Sequence, residues 1–235
     1  MNLLEIIILI VMAFLPPLIY TFWIRNLEKF NREKWKPIFF CFIWGSSIAI
    51  FAAIIIEIFL QFSIIPSVDN PASLGFITAV LIAPFAEELT KPFALRISVV
   101  KKELDELEDG LIYGATAGLG FSATENLIYG SQFLSEGALF FFIFILIRSF
   151  GGCFLHASAT AWTGYGYGKT IIKKTSFIKI IPYFILAIFV HSFYNFILSY
   201  DFLGAAIGLT LALIFTAITI LVVKNKITRL DELSR

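Results

Sequence analysis

Residues 83–92 read APFAEELTKP, and the segment around them, Phe76 to Val100, is otherwise apolar enough to sit in lipid. Glu87, Glu88 and Lys91 thus put two carboxylates and an ammonium at bilayer depth. One charge at the centre of a membrane costs about 2.5–3.5 kcal/mol even on the lenient insertion scale, and such groups face a bundle interior or a water-filled cavity. The stretch therefore predicts a helix that forms one wall of a polar chamber. Pro84 and Pro92 bracket it, and each removes a backbone donor and bends a helix, which opens room beside the carboxylates.

The remaining chain supplies the other walls. Of 235 residues, 59% are hydrophobic and 15% charged, and the mean hydropathy is +0.88, more apolar surface than one soluble core can hide. A bilayer span takes roughly 20 apolar residues. Such segments recur at about 3–24, 37–60, 74–99, 110–133, 137–165, 178–200 and 202–223. The expected fold is all-α: a polytopic membrane bundle of about seven transmembrane helices, with residues 1–235 as one membrane-embedded domain.

Lys and Arg orient that bundle. Arg25, Lys29, Arg32, Lys34 and Lys36 form one group; Arg96, Lys101 and Lys102 a second; Lys169, Lys173, Lys174 and Lys179 a third; Lys224, Lys226, Arg229 and Arg235 the last. The groups fall on alternate connections, while those near 61–73, 131–136 and Asp201 carry none. Positive residues collect on the cytoplasmic side, so the N-terminus is expected outside, the C-terminus inside, and the protein multi-pass in the cell membrane. The basic groups then read as topology determinants and anionic-lipid contacts. The net charge of +1 gives no nucleic-acid footprint. The first span lacks a basic leader and a small-x-small cleavage site and reads as a permanent helix. Cys41 and Cys153 lie inside spans and imply neither a disulfide framework nor a cysteine zinc site. The acidic run KKELDELEDG (101–110) reads as a solvated helix start, with Asp109 as N-cap of the fourth span.

Inside the spans remain Lys91, Arg148, Glu57, Glu87, Glu88, Glu125 and both histidines of the chain, His156 and His191. With a rise of about 1.5 Å per residue, Glu87, Glu125 and His191 each lie roughly 20 Å from the face where their span begins. They share the middle of the membrane, with His156 farther toward the cytoplasmic half. Glu87 and Glu88 stand four and three residues before Lys91, so the ammonium reaches either carboxylate. His191 and Asn195 project from one face a turn apart. Phe121, Glu125 and Tyr129 form one stripe with Asn126 beside it, and the GATAGLG run before them permits close helix approach. Glu57, isolated on the second span, reads as an interhelical hydrogen-bonding group. Arg148 reads equally as a counter-ion for Glu125 or Glu88 and as a substrate contact.

Carboxylates and imidazoles in a dry cavity suit the activation of water. Glu88, His156 and His191 could supply the three protein ligands of a zinc with an open water position, the second Glu taking the water proton. Without metal, a Glu-activated water would act with His and Asn as oxyanion donors. The same buried set also fits a proton- or ion-coupled transporter, although no internal repeat supports one.

Four motifs occur in order: EELTK (87–91), GLGFSATENLIYG (118–130), His156 in GGCFLHASATAWTGYGYG (151–168), and HSFYN (191–195). Together they resemble the PrsW family of intramembrane proteases, relatives of the CAAX-processing and bacteriocin-immunity membrane proteases. The resemblance covers about residues 80–200. The CAAX-type relatives carry an Arg where Pro92 stands here and a Phe where Gly152 stands, whereas Lys91 gives the EExxK form of PrsW, so prenyl-protein processing is the lesser alternative. The resemblance implies catalytic positions at Glu87, Glu88, Glu125, His156, His191 and Asn195, supported by Lys91, Asn126, Tyr129 and Arg148. It also implies a catalytic core at about 74–200 with accessory helices 3–60 and 202–223. The implied activity is endoproteolysis of transmembrane or membrane-anchored proteins, anti-sigma-factor-like substrates among them, with zinc or with a metal-free glutamate mechanism.

Overall fold

Seven long helices make up the computed structural model, which describes residues 2–68, 70–134, 136–200 and 203–234. Asp201, Arg235 of the last basic group and Phe202, the first residue of the expected last span, lie outside the described residues, as do Met1, Asp69 and Ser135. The helices are α1 (Leu3–Arg25), α2 (Trp35–Ser67), α3 (Pro71–Arg96), α4 (Leu107–Leu134), α5 (Ala138–Ile172), α6 (Phe177–Ser199) and α7 (Gly204–Leu233). Six of them are long and apolar enough to cross a membrane; α4 is not among those six. Its composition explains the difference. Every residue from Glu108 to Ala123 is buried, so α4 is wrapped by the other helices and needs no greasy face toward lipid.

The contact between α4 and α5 brings backbone against backbone. Gly110, Gly114 and Gly118 recur every fourth residue along one stripe of α4, and a Cβ on any of them would strike α5 main chain at Gly164, Thr160 or His156 respectively. These pairings run in opposite directions along the two helices, which are therefore antiparallel. On the opposite side, Gly120 meets the Phe42 main chain of α2. Small residues replace side-chain bulk with close approach, as membrane helix pairs require.

Helix α3 is irregular on both sides of its motif. It passes through a π-turn at Thr78–Ile82, a regular stretch at Ala83–Thr90 and a 3₁₀ stretch at Lys91–Arg96. In the π-turn the Ala83 N–H reaches back to the Thr78 carbonyl. Continued by one residue, that register sets the Ala79 carbonyl against Pro84, which has no N–H to give. Asn195 Nδ2 of α6 donates to the Ala79 oxygen at 2.8 Å instead. Trp44 Nε1 of α2 caps the other end by donating to the Thr90 carbonyl at 3.1 Å.

The acidic run before α4 is solvated only in part: Lys101, Lys102 and Asp105 are exposed, but its end is not. Glu108 and Asp109 are buried, because the loop between α1 and α2 and the end of α7 fold over them. Asp109 is not an N-cap either: it sits inside the first turn and accepts the N–H groups of Asp105 and Glu106 at 2.8 and 2.7 Å. Glu33 of the α1–α2 loop accepts the Tyr113 hydroxyl, and burial, with Asp109 beside it, pushes the Glu33 carboxyl up to about 10. Both cysteines are free and buried.

Candidate active site

The polar side chains of α3, α4, α5 and α6 converge on one buried centre. Lys91 Nζ donates to Glu87 Oε2 at 2.9 Å and to Glu88 Oε1 at 2.8 Å, and lies 2.8 Å from His156 Nδ1. The Phe121 ring closes its remaining side at 4.3 Å, a cation–π contact. The i,i+3 and i,i+4 spacing within EELTK produces the two ion pairs, and the tight α4–α5 contact delivers the imidazole. His156 stands level with the other groups rather than nearer one face.

Adjacent residues on a helix point about 100° apart, so Glu87 and Glu88 meet different neighbours. Glu88 is fully enclosed: Lys91 and His191 Nδ1 share its Oε1, the latter at 3.0 Å, and Thr160 Oγ1 donates to Oε2 at 2.9 Å. Glu87 turns toward the histidines, its Oε2 3.6 Å from His156 Nδ1 and 3.9 Å from His191 Nε2. The trio whose ligand atoms lie within 4.8 Å of one another is Glu87, His156 and His191. Glu88, expected in that trio, is held one position behind it, against His191.

Each imidazole leans on a second carboxylate with its other nitrogen. His156 Nε2 lies 2.7 Å from Glu125 Oε2, and His191 Nδ1 on Glu88 is the equivalent contact. A carboxylate behind each histidine fixes the tautomer and ring orientation and raises ligand basicity, the usual outer arrangement of a metal-binding histidine. The Glu-His-His donor set is also one that catalytic zinc takes. The donor types therefore fit a zinc ion, with the Lys91 ammonium, now bonded to Glu87 Oε2 and His156 Nδ1, withdrawing as the metal enters. The centre holds three carboxylates against Lys91 and Arg148, one net negative charge with both histidines neutral, and a cation would offset it.

Arg148 serves as counter-ion: its Nη2 donates to Glu125 Oε2 at 2.8 Å and its Nε to Asn126 Oδ1 at 3.0 Å. Tyr129, half-exposed, lies beneath the Arg148 guanidinium at 4.5 Å and does not enter the centre. Asn195 directs one Nδ2 hydrogen to the Ala79 carbonyl. Glu57 is only half-buried and joins none of these hydrogen bonds. Thr160 was not singled out by sequence reasoning; the available signal was its place four residues after His156, on the same face of α5.

A cavity of about 310 Å³ opens against Glu88 between α3, α5 and α6. Leu89, Phe93, Ile181 and Phe184 make it mostly apolar, and Glu88 and Arg96 are its charged members.

The sequence profile of the PrsW family intramembrane metalloproteases matches residues 33–223. The chain is 28% identical to Protease PrsW of Clostridioides difficile (strain 630) over 122 residues, 52% of this chain and 50% of the relative. It is 30% identical to Protease PrsW of Geobacillus kaustophilus (strain HTA426) over 134 residues, 56% and 54% of the two chains. A third match, to Protease PrsW of Bacillus subtilis (strain 168), reaches 40% over 62 residues, 26% and 28%. The matches thus span about half or less of the curated relatives' length. No solved structure matches the chain.

Proposed function

The chain belongs to the PrsW family of intramembrane metalloproteases, and from that premise we propose that it is an endopeptidase that hydrolyses peptide bonds of membrane proteins inside the bilayer. The observation that carries the reading is the buried Glu87-His156-His191 trio, with a carboxylate behind each imidazole. Transporter chemistry has no observation in its favour.

Glu87, His156 and His191 would hold the metal, which when bound supplies a Lewis acid and an acidified water. Glu87 is the member of the Glu pair that keeps some exposure, its side chain 8% accessible against 0% for Glu88, so the water meets the Glu87 side. A carboxylate of the pair would take the proton of an attacking water, and Lys91, bonded to both, keeps the pair in place and balances their charge. His156 turns Nδ1 toward the centre because its Nε2–H is committed to Glu125; the Lys91 ammonium, from which Nδ1 now accepts, would give way to a metal held there. His191 holds Nε2 toward the centre because Nδ1–H is committed to Glu88. Arg148 and Asn126 position Glu125, and Asn195 holds the bent backbone of α3 rather than touching the reacting atoms. In a metal-free mechanism the imidazoles would donate to the oxyanion only once protonated on their inward nitrogens.

The substrate class we infer is a transmembrane or membrane-anchored protein, anti-sigma-factor-like by family resemblance. The apolar cavity against Glu88 suits one aliphatic or aromatic side chain next to the scissile bond. Lys91 with Pro92 sets this chain apart from prenyl-protein processing, although we keep the CAAX-type and bacteriocin-immunity proteases as its wider kin. The basic clusters support a cytoplasmic C-terminus in the cell membrane, with residues 1–235 as one domain built around 74–200.

The test is cleavage of a single-span substrate by purified protein in proteoliposomes. Glu87→Gln, His156→Ala and His191→Ala should each abolish it. Full cleavage by all three variants would overturn the reading.

A further inference from the structure

A second cluster of buried carboxylates lies at the end of the bundle that carries the basic groups, far along α4 from Glu125. Glu28 in the α1–α2 loop, Glu108 in the first turn of α4 and Asp231 in the last turn of α7 are each at most 1% exposed. One ligand oxygen from each lies within 4.8 Å of the other two. Among the described residues, none of the three forms an ion pair with Lys or Arg. The acids Asp109, Glu108 and Glu106 press on Glu28, and Arg25 is a cation that acts on it without forming an ion pair.

Hydrogen bonding leaves part of the cluster open. Glu28 Oε2 accepts the Glu33 N–H at 2.7 Å, and both oxygens of Asp231 accept main-chain N–H groups, of Lys29 at 3.0 Å and Phe30 at 3.1 Å. Glu28 Oε1 and Glu108 Oε1 are buried with no hydrogen-bond partner. Two orphaned carboxylate oxygens in one buried cluster carry a desolvation penalty unless a ligand or a proton meets them. Asp231 adds to the imbalance, since a carboxylate near a helix C-terminus faces the negative end of the dipole.

The neighbouring trio, Glu28, Glu33 and Asp109, is a contrast. There Tyr113 donates to Glu33 and two main-chain N–H groups satisfy Asp109, so only the shared Glu28 keeps an open oxygen. The open oxygens both belong to the trio containing Glu108 and Asp231.

We propose that Glu28, Glu108 and Asp231 form a binding site for a hard divalent cation such as Ca²⁺ or Mn²⁺. The donors are all oxygen, which excludes a preference for soft metals. Two oxygens sharing a Ca²⁺ at about 2.3–2.6 Å stand at most about 5 Å apart, and the observed spread falls inside that limit. The cation would join three elements remote in sequence: the α1–α2 loop, the start of α4 and the end of α7. It is a clasp on the helix that carries Glu125, and it is separate from the Glu87-His156-His191 trio.

The experiment counts Mn²⁺ by electron paramagnetic resonance on chelator-treated, full-length protein in detergent, and follows the unfolding midpoint with added Ca²⁺. A His156→Ala/His191→Ala double variant removes the other trio, so one equivalent of Mn²⁺ retained there belongs to the clasp. The midpoint should rise by about 5–10 °C at saturating Ca²⁺ in both wild type and the double variant. Glu108→Gln and Asp231→Asn should each lose the bound equivalent and the rise. No Mn²⁺ and no shift in the double variant would overturn the site, as would full binding by Glu108→Gln alongside loss in Asp109→Asn. Neither readout uses proteolysis, so failure of the protease reading leaves this test intact, and wild type with the double variant decides it even if a carboxylate variant fails to fold.

Discussion

Lys91 Nζ on α3 lies 2.8 Å from His156 Nδ1 on α5, which makes that nitrogen the acceptor and assigns the ring proton to Nε2, where Glu125 receives it. One ammonium thus sets the protonation pattern of an imidazole on another helix while neutralising two carboxylates on its own. Lys91→Met leaves those carboxylates buried and uncompensated. The expected cost is about 3–5 kcal/mol of stability, read as a lowered unfolding midpoint in detergent, together with loss of cleavage. Lys91→Arg should also fail in cleavage, since a planar guanidinium cannot take three partners around one nitrogen.

Glu87 and Glu88 should separate in a metal titration. Glu87→Gln removes a ligand and is expected to lose zinc outright, whereas Glu88→Gln and Glu125→Gln disturb only the support behind each histidine and should weaken affinity about 10- to 100-fold. Competition with a chelator of known affinity gives the ordering. Equal, complete loss from Glu88→Gln would show that Glu88 is itself a ligand.

Gly118 carries the main-chain contact with His156. Gly118→Ala forces α4 and α5 apart where the imidazole is anchored, at about 1–3 kcal/mol in stability and a larger loss of cleavage than of folding. Gly75→Ala, where an added methyl meets open space, is the control and should change neither.

Asn195 and Pro84 should be energetically coupled. Asn195→Ala orphans the Ala79 carbonyl, an expected cost of about 1–3 kcal/mol. In a Pro84→Ala background, position 84 regains an N–H that can serve the same oxygen, so the second mutation should cost less. A double-mutant cycle on unfolding midpoints gives the coupling; strict additivity would disprove the compensation.

The helices were legible because a bilayer demands long apolar runs, and even α4, the poorest of them, followed from the alternation of basic connections. The pairing of Lys91 with both glutamates followed from spacing within one helix. Which glutamate faces His156 and His191 did not, because that depends on how α3 is rotated against α5 and α6, and neighbouring residues differ by about 100°. Asn195 read as a site group from its spacing to His191, yet its partner is a carbonyl exposed by a π-turn that no local pattern announces. The burial of Glu108 and Asp109 was hidden for a similar reason, since their cover comes from positions 28, 33 and 231.

The enclosure of α4 bears on how the protein is made. A helix with no lipid-facing side from Glu108 to Ala123, and with charged Glu125 beyond, gains little by entering the bilayer alone. Its favourable environment is α5, which emerges from the ribosome after it. Helices α1 and α2, already made, can cover part of α4, but its main-chain contact with α5 from His156 to Gly164 forms only once that segment has emerged, so α4 and α5 complete their burial as a pair.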